Sequence, residues 1–226
     1  MTSKFQRETW YQNHVTATGG PPSEEAEPTG DQVLAFSHRV LSLELTPYVD
    51  MAVWTPFGRK SMRANKFRTW IPGINGTWIS KEVPGPANHE QWLVSWRVFV
   101  SAALMLGICT RASLEAYELR IEKLCRLWPE AWHLIYVADD KMRSEVLERV
   151  RREIAHRIAS GGAAPQGWDP AAQWTACFFA AAVGKLDASI LAPHVEKLIE
   201  PGLASAVNKL DAATLAPHVE QLIDRE

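Results

Sequence analysis

The chain has 226 residues, of which 46% are apolar, and a formal net charge of -2 at neutral pH. That apolar content supports a real core and excludes a globally disordered chain, and the length accommodates one or two domains. The near-neutral charge excludes a global field that would draw the protein to nucleic acid or to an anionic membrane, so any such attraction must arise from a local patch.

Residues 1–30 read as a disordered tail. Gly19-Gly20-Pro21-Pro22-Ser23-Glu24-Glu25, followed by Pro28 and Gly30, sustains neither helix nor ladder, and residues 1–20 lack the apolar core of a secretory leader. Asp31 is the expected cap of a helix reaching about Leu45, with Val33, Leu34, Val40, Leu41 and Leu45 as its apolar stripe. Thr46-Pro47 restarts the chain, and a helical segment through Val53 and Trp54 is expected, followed by another from Pro56 to about Phe67.

The pattern changes at residues 68–83. Arg68-Thr69-Trp70-Ile71 and Thr77-Trp78-Ile79-Ser80 are β-branched and aromatic, and Asn75-Gly76 between them is a strong turn signal, so one small β-hairpin is predicted there. Three helices follow. The first runs from Asn88 to about Ile108, with Trp92, Trp96, Phe99, Ala103 and Leu106 on one face. The second runs from Ala112 to Leu127, with Leu114, Tyr117, Ile121 and Leu124 inside. The third starts near Glu130 and continues towards Ile158, with Trp132, Ile135 and Tyr136 early and Val146, Leu147, Val150 and Ile154 later. The expected organisation is therefore all-α with one hairpin: a compact helical domain over residues 31–160, a linker over 161–169 around Gly161-Gly162, and a helical-repeat segment over 170–226. The longest apolar runs, Val98–Cys109 and Ala176–Val183, are shorter than the ~20 residues that span a bilayer, so no membrane partner is expected.

The repeat segment rests on a duplication. The sixteen residues from Lys185 to Glu200 recur 24 residues later, from Lys209 to Asp224, with twelve positions identical. Such periodicity marks stacked supersecondary units, with Asp187 and Asp211 as helix caps. The pattern Leu-Asp-x-x-x-Leu-Ala-Pro-His-Val-Glu-x-Leu-Ile resembles one helix of HEAT-type repeats over residues ~170–226, although the period is shorter than the ~40–47 residues of a full HEAT unit. A protein partner at this segment is what that resemblance implies.

The richest local signal lies between Met51 and Lys81, which contain no Asp or Glu but six cations: Arg59, Lys60, Arg63, Lys66, Arg68 and Lys81. Trp54, Phe57, Phe67, Trp70 and Trp78 interleave with them. Cations neutralise phosphates and aromatic faces stack bases, so Arg59, Lys60, Arg63, Lys66, Phe67, Arg68 and Trp70 form the candidate surface for single-stranded RNA or DNA. The competing reading is a solvated cationic helix face beside an aromatic core. The run Lys141–Arg157 mixes six cations with Glu145, Glu148 and Glu153 and reads as a solvated helix held by Glu145–Arg149 and Glu148–Arg152 pairs.

No catalytic or metal constellation emerges. His133 has Asp139 and Asp140 nearby but no nucleophile beside it, and His194 and His218 are equivalent through duplication. Phosphate loops, nucleophile elbows and His-Glu-x-x-His helices are absent. Cys109, Cys125 and Cys177 fit neither a disulfide framework nor a zinc site and read as reduced thiols of an intracellular protein, cytoplasmic or nuclear. The expectation is a protein without catalysis, cofactor or metal.

A wider resemblance covers residues ~32–158. Leu45-Thr46-Pro47-Tyr48-Val49-Asp50, Pro56-Phe57-Gly58-Arg59, Lys66-Phe67-Arg68, Ser95-Trp96-Arg97-Val98-Phe99, Ala102-Ala103-Leu104-Met105-Leu106, Trp132-His133-Leu134-Ile135-Tyr136 and Ala138-Asp139-Asp140-Lys141-Met142-Arg143-Ser144-Glu145 together resemble retroelement-derived reading frames abundant in some protist genomes, a family with no assigned activity. The resemblance implies a Gag-like position outside the polymerase, and hence a structural or nucleic-acid-packaging role.

Overall fold

A computed structural model describes residues 4–55, 66–72 and 78–168, together with Trp174, Phe178 and Ala181. It is mostly helical with one two-stranded antiparallel hairpin, as the sequence predicts. These residues belong to one compact unit, Met1–Leu186; a second unit, Asp187–Glu226, and with it the duplicated segment, lies outside the described residues. Among the described residues no helix is long and apolar enough to cross a membrane.

The first element corrects the reading of a disordered tail. α1 spans Lys4–Thr18 and packs on α3, which spans His89–Leu106. Its inner stripe is Trp10, His14 and Thr18, so a buried polar residue stands where an apolar one would have announced the helix. His14 Nδ1 donates to the Gly20 carbonyl (2.9 Å), and Asn13 Nδ2 donates to the Met105 carbonyl at the end of α3 (2.9 Å). The Gly-Pro stretch is thus a wrapped connection, held at its far end by the Tyr11 hydroxyl donating to Glu27.

α2, Gly30–Ser37, is capped by Thr29 rather than Asp31. Thr29 Oγ1 accepts from the Gln32 amide (3.2 Å) while Gln32 Oε1 accepts from the Thr29 amide (2.7 Å), a reciprocal capping box. The helix widens into a π-turn at His38–Ser42, and Glu44 then takes a positive φ of 53°, which ends it short of Leu45. Val33, Phe36 and Val40 are buried, whereas Leu34, Leu41 and Leu45 of the expected stripe are exposed. The expected helix through Val53 and Trp54 is a single turn about Asp50 instead. Its carbonyl accepts from the Val53 and Trp54 amides and its side chain from the Ala52 amide. This irregular segment still delivers Met51, Ala52 and Trp54 to the core. The expected helix from Pro56 lies outside the described residues apart from its last two positions, and those, Lys66 and Phe67, are strand rather than helix.

α3 and α4 follow the predicted pattern closely. Asn88 caps α3, and Gly107 closes it in the left-handed conformation (φ 66°), with the Ile108 amide reaching back to the Ala103 carbonyl. Thr110 caps α4, Arg111–Leu127. The third predicted helix is divided. A 3₁₀ turn at Pro129–Ala131 leads into α5, Trp132–Lys141; a π-turn at Met142–Val146 leads into α6, Leu147–Ala159.

The core is a relay of rings. Trp92 stacks on Trp96 (5.0 Å between centroids), Trp96 meets both Phe99 (5.0 Å) and Tyr117 (5.2 Å), Phe99 meets Phe36 (5.4 Å), and Phe36 meets Trp54 (5.8 Å). One chain of contacts thereby joins α2, the 46–55 segment, α3 and α4, each pair adding about 0.5–1.5 kcal/mol beyond its area burial. Farther along, Arg151 of α6 lies over the buried Trp174 ring (5.2 Å).

The hairpin pairs β1, Lys66–Pro72, with β2, Trp78–Pro84, in the register Lys66↔Pro84 to Pro72↔Trp78. It extends slightly beyond the predicted 68–83 at both ends. The Phe67 ring meets Tyr136 of α5 edge-on (6.1 Å), and the Pro86 carbonyl accepts from Trp132 Nε1 (2.8 Å). Gly85, between β2 and that carbonyl, has φ 145°, and a Cβ built on it would overlap the Tyr136 ring. Gly85→Ala is therefore expected to destabilise the protein by about 2 kcal/mol or more, through both strain and overpacking. A thermal melt reads this as a lower Tm; an unchanged Tm would show that the hairpin does not seat on Tyr136.

Candidate nucleic-acid interface

The structure distributes the seven candidate residues unequally. Arg59, Lys60 and Arg63 lie outside the described residues. Lys66, Phe67, Arg68 and Trp70 all belong to β1. Period-two alternation sends Lys66 and Arg68 to one face, and both are exposed. Phe67 goes to the other face, where it is half-buried against Tyr136. Its role is to seat the ribbon, which takes it out of the set of free stacking platforms.

The ribbon also meets a carboxylate just past the window that the sequence marks as free of them. Glu82 of β2 is the direct cross-strand partner of Arg68 and lies 3.7 Å from Lys66 Nζ. Both members of the Lys66–Glu82 pair are more than half exposed, so the pair is worth about 0–1 kcal/mol and opens readily to a competing anion. Lys81 is exposed as well. The two strands together carry Lys66, Arg68 and Lys81 against Glu82 alone.

The most concentrated charge in the described residues lies elsewhere, sealed in the core. The Asp139 carboxylate of α5 is fully buried and receives four donors: Arg143 Nε (3.0 Å) and Nη2 (2.7 Å), the Tyr117 hydroxyl (2.8 Å) and Trp92 Nε1 (3.0 Å). Arg143 is buried too, and its Nη1 donates to the Val49 carbonyl (2.8 Å). Burial alone would lower the Arg143 pKa, but the Asp139 carboxylate more than reverses this and holds it above the ordinary guanidinium range. Burial and then Asp139 push the Tyr117 hydroxyl well above its usual range, so it stays a proton donor. On the outer edge, the Tyr48 hydroxyl donates to Asp140 (2.9 Å), and the Tyr48 ring lies between two guanidiniums, Arg39 and Arg143, each 5.4 Å from its centroid.

This cluster corrects the reading of Lys141–Arg157 as a uniformly solvated helix. Arg143 belongs to the core, while half-buried Arg151 and exposed Arg152 both pair with Glu148 (2.9 and 3.5 Å). Asp139, the acidic neighbour that would have served His133 as a partner, is occupied by its four donors. The signal for the cluster was available in the spacing: Ile135, Asp139, Arg143 and Leu147 recur every fourth residue on one stripe, two opposite charges framed by two buried apolar residues.

Cys109 is buried and Cys125 half-buried, both as free thiols, and burial raises their pKa, that of Cys125 to about 11. Among the described residues no group of three His, Cys, Asp or Glu gathers to hold a metal ion. The duplicated segment named as a protein-binding surface lies outside the described residues. Comparison with protein-family models, curated proteins and solved structures finds no match for this chain.

Asp139→Asn leaves the buried Arg143 guanidinium with only the farther, partly exposed Asp140 carboxylate (3.8 Å) and is expected to cost about 3–5 kcal/mol, lowering Tm by about 10 °C or more. The paired change of Asp139 to Leu and Arg143 to Met removes both charges and is expected to cost less than the single change. Thermal melts of the two variants decide it; a single variant as stable as the parent would show that the pair carries no net constraint.

Proposed function

We propose that the chain is a non-enzymatic, Gag-like protein that binds single-stranded RNA or DNA along the basic strand of its hairpin. The observation that carries this reading is the exposure of Lys66 and Arg68 on one face of a two-stranded ribbon, where the facing carboxylate, Glu82, is held in a weak, solvent-accessible pair; Lys81, paired with Thr69, is exposed on the opposite face. Arg59, Lys60 and Arg63 immediately precede that ribbon in the sequence and extend its cationic character. Phosphates displace a carboxylate from an exposed lysine at little cost, because the pair itself contributes so little. The binding energy then comes chiefly from counterion release. The reading accords with the packaging role that the retroelement resemblance implies.

Fluorescence anisotropy with an unstructured polyuridine oligomer tests it. Affinity is expected to fall steeply as salt rises, and Lys66→Ala and Arg68→Ala are each expected to weaken binding and to flatten the log–log salt slope by about 0.7. Glu82→Gln frees Lys66 and is expected to tighten binding by about two- to fivefold. Binding that ignores salt, or that survives loss of Lys66 and Arg68 together, would overturn the proposal.

A further inference from the structure

A cavity of about 390 Å³ lies between the start of α3, the end of α4 and the start of α5. Its volume falls within the range of small-ligand sites. Three rings line it: half-buried His89 and Trp128, and buried Trp132. Ile135 and Pro129 add apolar surface, and Glu90, exposed in the first turn of α3, supplies a carboxylate at the wall. The rings are held in place. His89 stacks on Trp92 (5.8 Å) and meets Trp132 edge-on (6.1 Å), while Trp132 rests on Tyr136 (6.0 Å) and is tied through Nε1 to the Pro86 carbonyl.

The charge of this cavity has one sign. No Lys or Arg lines it, so Glu90 is its one ionised group. Burial lowers the His89 pKa and keeps the imidazole neutral at pH 7, and the Cys125 thiol stays protonated. The Glu122 carboxylate also acts on both groups, but it is paired with Arg126 (3.1 Å), so Glu90 carries the charge of the wall. Such surroundings disfavour phosphate and favour a cation. The faces of tryptophan rings attract a cation through their quadrupole, and a poorly hydrated alkylated ammonium sheds its water there at the least cost. The cavity beside His14, equal in volume, lacks this asymmetry: Arg97 and Arg111 balance Glu115 and Glu118, and Arg111 is already bonded to Glu115 (2.5 Å).

We infer that the cavity formed by His89, Trp128 and Trp132, with Glu90 on its wall, is a binding site for an alkylated ammonium group. The site is separate from the basic ribbon and stands or falls without it. Its chemistry is shared by free quaternary amines and by the side chain of a methylated lysine.

The intact protein is titrated with choline and, in parallel, with its uncharged tert-butyl isostere, following the indole N–H resonances by NMR. Choline is expected to shift these resonances saturably, with the isostere at least about fivefold weaker, because only choline has the cation–π and carboxylate contributions. Trp128→Ala is expected to weaken choline binding about fivefold or more, Trp128→Phe to restore much of it, and Glu90→Gln to weaken it while leaving the thermal melt unchanged. A peptide carrying trimethyl-lysine distinguishes the sources: tighter binding than choline assigns the site to a modified protein, weaker binding to a free amine. Equal affinity for choline and its isostere, or no saturable shift with either, would overturn the inference. Neither result bears on the salt-dependent RNA titration.

Discussion

The helical unit is arranged around one buried carboxylate. Moving Asp139 out of water costs several kcal/mol, and only a complete set of donors offsets that. The four that answer it come from three places in the chain: Trp92 on α3, Tyr117 on α4, and Arg143 one turn farther along its own helical run. Arg143 then reaches the Val49 carbonyl, which fixes an irregular segment that has no ladder of its own. Low dielectric makes the arrangement all-or-nothing, since a donor that strays leaves a charge unpaired in the core. The π-turn at Met142–Val146 belongs to the same constraint. It begins immediately before Arg143, and the face beyond it buries Leu147 and Val150 but leaves Val146 and Ile154 only half-covered. Tyr48 marks where this order meets solvent: its ring lies between guanidiniums from the two π-turns, and its hydroxyl binds the partly exposed Asp140.

The hairpin depends on that core without sharing its chemistry. A two-stranded ribbon is marginal alone in water. Here it is seated by Phe67 against Tyr136, by the close approach of Gly85 to the same ring, and by the Pro86 carbonyl on Trp132. Seating uses one face of β1 and leaves Lys66 and Arg68 outward. The separation of duties follows from period-two alternation: the residue that anchors and the residues that carry charge are neighbours in sequence and opposites in space.

What the sequence disclosed divides along the same line. α3 and α4 were legible because Trp92, Trp96, Phe99, Leu114, Tyr117 and Ile121 repeat at helical spacing between strong caps. The hairpin was legible from two β-rich runs about an Asn-Gly turn. α1 was not, because its inward face is Trp10, His14 and Thr18, and a buried histidine bonded to a loop carbonyl leaves no trace in an apolar pattern. The end of α2 was missed because a π-turn obeys no apolar period. The segment from Thr46 to Thr55 reads as helix because Pro47 suits a first helical turn, while Asp50 closes a single turn instead. For the candidate surface, a window without carboxylates says nothing about the residue just past it. Glu82 returns across the ribbon to face Arg68, and cross-strand register is a tertiary fact that composition does not contain. Arg143 was misplaced for the opposite reason: counted as one of six cations in a charged run, it took its environment from its stripe rather than from its neighbours in sequence.

Trp132 connects the two surfaces. Its ring rests on Tyr136, which seats the hairpin, its Nε1 holds the Pro86 carbonyl just after β2, and it forms a wall of the acid-rimmed cavity. The ribbon and the cavity differ in the sign of their charge, so a polyanion on the one and a cation in the other, as proposed, would not compete for the same atoms. They do share this ring. If closing the cavity on a cation shifts Trp132, the Pro86 carbonyl and the base of β2 shift with it, and the affinity of the ribbon changes. Linkage makes any such effect reciprocal: the factor by which a cation alters nucleic-acid binding equals the factor by which nucleic acid alters cation binding. A rigid Trp132, held by its contacts with Tyr136 and His89 and by its bond to the Pro86 carbonyl, makes that factor one.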